Sequence, residues 1–435
     1  MVSIIKNLEG LSVTSLRKDA LTIVSAGYDA INTRTALHEA VTVVGDTLVV
    51  SGNEYSLSPS QKIWVVGAGK CAIEGASALE DILGDRLEGG VVVDVSDATY
   101  RLPLKKIEGL IGTHPEPSQK NRGAAKRIVD VLSALTKDEM VIEIVSGGGS
   151  TLLCLPNDAM TCSNEAEAFR ELTDGGATIT QMDTVRKHIS TARGGWLAKV
   201  AHPAKLIGLI FSDVPGNDLS VISSGPTVKD MTTIADAEKI INKYNVHAFP
   251  KEALMETPKE DIYFDSVWNI LLMTNQRPLT HMKHVAQTLG YTAHIMTDRY
   301  SGEASDVIKE VQAELEKAPH GTVFLYGGES TVTLGEHAGK GGRNLEMALA
   351  GLSRIKENEV IMPFSTDGHD NTDFAGGICD TVTKEHAIQH RLPVETYLRE
   401  HRSYDFFTET GDALITGNTG ANVSDIIVSI IARDN

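Results

Sequence analysis

The chain reads as two α/β domains, each built on a mostly parallel β-sheet flanked by helices. Three observations predict this. Its 435 residues exceed what a single hydrophobic core usually supports. Five apolar, mostly β-branched runs each end in a short glycine-rich tip with a polar or charged side chain. They are 63–66 into Gly67, Ala68, Gly69 and Lys70; 141–145 into Ser146, Gly147, Gly148, Gly149 and Ser150; and 206–211 into Ser212, Asp213, Val214, Pro215 and Gly216. Two more are 323–326 into Gly327, Gly328, Glu329 and Ser330, and 360–365 into Thr366, Asp367, Gly368, His369 and Asp370. Runs of this length bounded by turn residues are the pattern of buried parallel strands. Finally, the runs alternate with helical stretches, as in a doubly wound sheet.

Element by element, a helix is expected over 16–40, where Ala20, Leu21, Val24, Tyr28 and Ile31 recur at three- and four-residue spacing. A hairpin around Thr47–Val50, turning at Ser51, Gly52 and Asn53, precedes the first strand at 63–67. Strands at 91–93, 110–111, 141–145 and 206–211 then alternate with helices over 72–83, 122–135 and 165–176. The stretch 248–266, with Pro250, Pro258 and scattered charge, breaks the pattern. It is the expected boundary between an N-terminal domain over 1–255 and a C-terminal domain over 266–435. The second series has strands at 270–274, 292–296, 322–326, 360–364 and 426–431, with helices at 277–289, 303–316 and 344–355. A ligand site in the cleft between two such domains is the expected arrangement.

Ligands of open α/β sheets bind beyond the carboxyl ends of the strands, where glycine lets backbone N–H groups approach an anion. Five polar tips together therefore point to a phosphorylated, anionic ligand. The formal charge of −18 and the lack of a Lys/Arg block argue against nucleic acid as a partner. Cys71, Cys154, Cys162 and Cys379 have neither CxxC spacing nor a framework pattern, and read as buried thiols in a reducing compartment. With no signal-peptide pattern and no membrane-length apolar segment, a cytoplasmic location without membrane attachment is expected. Oligomeric state is left open, a homodimer being one arrangement the chain allows.

Gly67-Ala68-Gly69-Lys70-Cys71-Ala72 fits the relaxed G-x-G-x-x-A dinucleotide fingerprint, with Asp94 at the end of the next strand where that motif places its acid. This makes the N-terminal domain Rossmann-like. It also supports an alternative reading, an NAD(P)-dependent reductase of hydroxypyruvate or tartronate semialdehyde. A glycine turn without any nucleotide is equally compatible with it. Lys70 stands at a helix start, where the dipole disfavours an idle cation, and it can meet a phosphate or carboxylate there. The 146–150 loop forms a nest of N–H groups suited to phosphate. His114, in Thr113-His114-Pro115-Glu116-Pro117, reads more plainly as a structural loop histidine. Asp183 to His188 and Arg193 concentrate basic residues, which a solvated helix face would equally explain. Asp213 offers a metal ligand or a hydroxyl-orienting base, or else an N-cap. Arg343, after Gly341 and Gly342, is poised to hold an anion bidentately or to pair with a neighbouring acid. Asp367 offers a second metal ligand or a turn.

The strings SDVPGNDLSVISSGPTVKD, GGESTVTLGEHAGKGGRNLEMALA and STDGHDNTDFAGGICD resemble the type II glycerate kinases, whose C-terminal module is called MOFRL. VVGAGK, THPEPS, SGGGSTLL, VRKHIS and TDRYSGEA follow the same family in the same order, from about residue 62 to 425. Two departures are Arg193-Gly194-Gly195-Trp196, where Lys-Gly-Gly-Arg is commoner, and Asn217, where Asp is usual. The resemblance implies two α/β domains and transfer of the ATP γ-phosphoryl group to D-glycerate with Mg²⁺ or another divalent metal, giving 2-phosphoglycerate. It also implies that Lys70, Asp213 and Arg343 match the family's lysine, aspartate and arginine. On this basis Lys70, Arg343 and Glu329 are expected to bind substrate. Asp213 and Asp367 are expected to hold metal, and the 146–150 loop to cradle the nucleotide phosphates.

Overall fold

The computed structural model describes residues 4–95, 103–214, 216–247, 250–335 and 338–434. Pro215 and the start of the expected boundary at 248–249 lie outside the described residues. The chain forms two compact units. One is Thr33–Met273; the other joins the residues up to Asn32 with those from Thr274 onward.

The first unit opens with an antiparallel meander of β1 (Val41–Val44), β2 (Thr47–Val50) and β3 (Asn53–Ser56). Ser51 and Gly52, both at positive φ, make the turn between β2 and β3. The main sheet contains β4 (Ile63–Ala68), β5 (Leu87–Asp94), β6 (Ile107–Ile111), β7 (Met140–Val145), β8 (Lys205–Phe211) and β9 (Val267–Met273). All pairs are parallel, in the order β6-β5-β4-β7-β8-β9. Counted from β4, the order is third, second, first, fourth, fifth, sixth, which is the Rossmann arrangement. The winding reverses between β4 and β7. Val66, Ala68, Val91, Val93 and Val141 pack with Ile128 and Leu132 of the helix Gln119–Ser133, covering one face. That helix starts at a capping box formed by Ser118 and Asn121.

The boundary falls later than the sequence pattern indicated. The proline-broken stretch packs back onto the first unit: Ala253 and Leu254 join a cluster with Leu172, Val185 and Ile189. Met255 N–H donates to His188 O at 2.8 Å, and Lys259 Nζ donates to Asp230 O at 2.8 Å. The stretch thus leads into β9, the last strand of the first sheet, and not into the first strand of a second one. The expected helix over 16–40 is likewise two helices, Ser15–Ala30 and Thr33–Ala40. The break at Ile31 and Asn32 is where the chain passes from one unit to the other.

The second unit holds β10 (Thr292–Glu303), β11 (Thr322–Thr331), β12 (Glu359–Ser365), β13 (Gly376–Gly377), β14 (Ala413–Leu414) and β15 (Asp425–Ile431), ordered β10-β11-β15-β12-β13-β14. Its long strands β10, β11 and β12 share one direction, and β15 runs against them between β11 and β12. An apolar run carries no direction, so the sequence pattern locates β15 without orienting it. Phe406, Phe407, Leu345, Leu349, Ile361 and Ile427 form part of the core. The helix Ser15–Ala30 belongs here. Its Arg17, 1% exposed, donates to Asp380 Oδ1 at 2.7 Å, Asp412 Oδ1 at 2.8 Å and Thr383 Oγ1 at 2.8 Å. Tyr28 OH donates to Ser365 O at 2.9 Å.

Candidate functional site

In the first unit the tips of β4 and β7 emerge side by side at the switch point, Ala68 pairing with Val145. Lys70 N–H donates to Gly147 O at 2.9 Å, Ser146 N–H to Ala68 O at 3.1 Å and Cys71 N–H to Ser146 Oγ at 3.3 Å. A Cβ on Gly69, at φ +140°, would lie 2.0 Å from Ser146 Oγ, so only glycine lets the two loops close together. Gly148, at φ +85°, precedes the short helix Gly149–Leu152. Above its Cα run the aliphatic stem of Lys70 and the imidazole of His114: a Cβ there would meet Lys70 Cγ at 3.5 Å and His114 Cδ2 at 3.4 Å. Lys70, the glycine nest and His114 are therefore one cluster. The structure adds His114, which the sequence pattern marked only as a loop residue.

The nest is held from below. Ser223 Oγ donates to Ser146 O at 2.9 Å, and Ser150 Oγ and Ser224 Oγ share a 2.9 Å hydrogen bond. Ser223, Ser224 and Gly225 are consecutive residues at positive φ, a costly conformation for the two serines. Asp213 follows β8, whose Ile210 pairs with Val145, so it leaves the strand next to the nest. Ser212 N–H donates to Met273 O at 2.8 Å and anchors that tip to β9.

Asp94, the acid of the dinucleotide fingerprint, is 2% exposed and accepts from Ile73 N–H at 3.2 Å and Val95 N–H at 2.7 Å. It caps the helix Ala72–Leu83, the helix whose N-terminus a Rossmann enzyme would offer to the dinucleotide pyrophosphate. The basic segment is not a solvated face. Arg193, fully buried, pairs with Glu165 at 2.8 Å, and Lys187, 5% exposed, with Asp183 at 2.9 Å. His188 is buried between Met255 O (2.9 Å) and Thr232 Oγ1 (3.1 Å). Glu143, inside the apolar run of β7, is 2% exposed, and burial raises its carboxyl to about 8, opposed by a hydrogen bond from Thr227.

In the second unit β11 continues as strand through Gly327, Gly328 and Glu329 to Thr331, and residues 332–334 have no regular structure. Arg343 opens the helix Arg343–Gly351. Its Nε donates to Asp425 Oδ2 at 2.5 Å, Nη2 to Asp425 Oδ1 at 3.3 Å, and Nη1 to Glu329. Three of its five N–H donors are thus taken by carboxylates, leaving two for solvent or a ligand. Asp370 caps the same helix, accepting from Asn344 N–H at 3.1 Å and Leu345 N–H at 2.7 Å. Burial lifts Asp425 to about 6, helped by Glu329 and opposed by Arg343. Burial and the charge of Asp425 lift Asp370 to about 7. Asp367 lies in the same loop as Asp370 and serves the turn, accepting at Oδ1 from Ser365 Oγ (2.9 Å) and His369 N–H (2.9 Å). The sequence pattern located Arg343, Glu329 and Asp367 but passed over Asp425, which opens a strand with no glycine tip to mark it. Among the described residues no group of three or more His, Cys, Asp or Glu is arranged to hold a metal ion.

A family described as a domain of unknown function, DUF4147, matches residues 19–257, and the MOFRL family matches residues 322–425. The glycerate 2-kinase of Pyrococcus horikoshii is 36% identical, covering 96% of this chain and 97% of its own. The chain belongs to the MOFRL-containing glycerate 2-kinase family. A crystal structure of glycerate kinase from Thermotoga maritima superposes with a TM-score of 0.81 at 30% identity, covering 96% of this chain and all of that one. An Agrobacterium vitis relative, 35% identical over 91% of this chain and 93% of its own, bears the provisional name hydroxypyruvate reductase. No helix among the described residues is long and apolar enough to cross a membrane.

Proposed function

We propose that this chain is a glycerate 2-kinase, transferring the terminal phosphoryl group of ATP to the 2-hydroxyl of D-glycerate. The products are 2-phosphoglycerate and ADP. The observation that carries this reading is the stem of Lys70 lying against Gly148, at the switch point of a Rossmann-ordered sheet. Phosphoryl transfer depends on positioning and on neutralising charge, with little covalent work for the protein. The 146–150 loop presents N–H dipoles and serine hydroxyls to phosphate oxygens, and Lys70 adds a full positive charge beside them. Asp213 accepts the proton of the attacking hydroxyl as its oxygen bonds to phosphorus and the bond to ADP breaks. Arg343, with Glu329 and Asp425 fixing its plane, turns its two remaining N–H donors to an anionic group of a substrate.

With no three-donor cage among the described residues, a Mg²⁺ ion would arrive on the nucleotide and need one protein carboxylate. Asp367 or, in place of its role as base, Asp213 would supply it, each standing two residues beyond the end of a strand, β12 and β8. The metal's chemistry is to neutralise charge on the phosphate oxygens. The reductase reading loses its acid, because Asp94 is a buried helix cap.

The test is to incubate the protein with D-glycerate, ATP and Mg²⁺ and follow phosphorus NMR. A 2-phosphoglycerate resonance is expected. A 3-phosphoglycerate resonance would keep the kinase and overturn the assigned hydroxyl. Intact ATP, with NADH oxidation on hydroxypyruvate, would replace the reading by the reductase.

A further inference from the structure

Cys154 and Cys162 meet inside the first unit, with Cys154 Sγ lying 2.7 Å from Cys162 Sγ. Both residues are fully buried. Cys154 Sγ also reaches Glu165 Oε2 at 3.2 Å, so its one proton is shared between a sulfur and a carboxylate. Glu165 in turn holds Arg193 at 2.8 Å. Two donors of that buried guanidinium, Nε and Nη1, have no hydrogen-bond partner in the protein. A buried cation with spare donors beside two thiols favours the thiolate form. The remaining cysteines differ. Cys71 faces Ser146 and Thr33, and burial pushes its thiol up to about 12. Burial raises Cys379 in the same way.

The two sulfurs of the pair are unequal. Cys162 is the first residue of the helix Cys162–Asp174, and its neighbours Thr161 and Ser163 are exposed. Fraying of that one turn brings its sulfur to solvent. The hydrogen bond from Cys154 draws the Cys162 thiol below its ordinary range, against the effect of burial. The same bond, together with burial, pushes Cys154 up. Cys162 is thus the nucleophile, and Cys154 keeps its proton in reserve. Metal ligation is the other chemistry open to two thiols and a carboxylate. Glu165 is committed to Arg193, however, and among the described residues no group of three such donors is arranged to hold an ion.

We propose that Cys154 and Cys162 are a redox-modification site, oxidised by hydroperoxides to a reversible disulfide. The Cys162 thiolate attacks one oxygen of hydrogen peroxide; the O–O bond breaks, and the departing hydroxide takes up a proton to leave as water. Cys154 sulfur then attacks the sulfenic acid so formed. An S–S bond forms, the S–O bond breaks, and the hydroxyl leaves with the Cys154 proton as a second water. Two electrons pass from the sulfurs to the peroxide. Sulfurs already in contact need little backbone movement to bond, and a small thiol reverses the bridge by exchange. Cys154 N–H donates to Thr151 O at 3.2 Å, so the bridge staples the turn that follows the 146–150 nest to the start of the helix Cys162–Asp174. The site is independent of the kinase reading.

The experiment treats the full chain with a modest excess of hydrogen peroxide. Free thiols are then counted in denaturant, and unreduced peptides are mapped by mass spectrometry. The count is expected to fall from four to two, with Cys154 and Cys162 joined, and to recover with dithiothreitol. The melting temperature should rise by roughly 3–8 °C on oxidation and return on reduction. In Cys154→Ser the reaction should stop at a sulfenic acid on Cys162 that dimedone traps. In Cys162→Ser, Cys154 should stay a thiol. Four free thiols in the treated wild type, or a bridge through Cys71 or Cys379, would overturn the assignment whatever the two variants do.

Discussion

The two units handle charge in opposite ways. The first presents Lys70 beside a nest of neutral N–H dipoles, with its buried acids dispersed away from any single cation: Glu143 in β7, Asp94 on a helix cap, Glu165 on Arg193, Asp183 and Asp230 about Lys187. The second gathers Glu329, Asp370 and Asp425 around a single arginine. A nest of backbone dipoles tolerates change in side chains but not in glycines. A clamped guanidinium tolerates neither loss of the arginine nor loss of the acids that aim it.

The largest effects expected are on activity. Lys70→Ala and Arg343→Ala should each lower kcat/KM by about 10³-fold or more, as loss of a charge-stabilising group does elsewhere. Their stabilities should part company. Lys70→Ala, at a half-buried loop position, should lose less stability than Arg343→Ala, which strands Asp425 in the interior and should lose up to about 3–5 kcal/mol, less whatever protonation of that acid relieves. Kinetics together with scanning calorimetry checks both; equal melting temperatures would break the contrast between the units.

Next in size is a pH effect on the first unit. Glu143 titrates near 4.5 unfolded and about 8 folded, so the native state keeps a proton that the unfolded chain gives up. Its contribution is complete below about 4.5 and is lost as pH rises through 8, on the order of a few kcal/mol. Denaturant titrations at pH 6 and pH 9 should show wild type losing stability across that interval and Glu143→Gln losing much less. Asp370 gives the same sign in the second unit, its contribution being lost as pH rises from 3.8 through about 7.

Smaller is Gly148→Ala. The φ of +85° costs about 1–2 kcal/mol in strain for any side chain. The added methyl makes only ordinary contact with Lys70 and His114, and the strain falls on the loop that sets Lys70 in place, so kcat/KM should fall about tenfold. Alanine at Gly341, beside Ser403 in the second unit, would distinguish a general intolerance of glycine loops from one particular to the nest. Smallest is Asp94→Asn, which should cost about 1 kcal/mol as a weakened helix cap and leave turnover within about twofold. A selective loss of NADH binding in that variant would revive the dinucleotide reading.

Much of the fold was legible in the sequence. Strand positions followed from apolar runs bounded by glycine; Lys70 and Asp213 stood out as polar residues at the ends of such runs, and Arg343 as a helix start after a glycine pair. The boundary was not, because proline and charge at 250–266 mark an irregular segment equally well inside a unit and between two. Asp425 was hidden because a strand's first residue carries no local signal of its own. Glu143 was absorbed into an apolar run because periodicity counts neighbours, and only the third dimension shows that Thr227 reaches it. The NAD-like fingerprint misled because its acid sits at the expected spacing while its carboxylate turns inward to cap a helix.

The Arg17 contacts reach across 363 residues to Asp380 and 395 residues to Asp412. Synthesis at roughly 5–20 residues per second therefore keeps the helix Ser15–Ala30 waiting about 20 to 70 s for the first of these partners. During that interval residues 33–273 can close their own sheet on the ribosome, while the helix Ser15–Ala30 stays an exposed apolar strip with a buried-type arginine in search of its acids. Birth order and assembly order are thus inverted in the second unit, and its completion waits on the last strand to emerge.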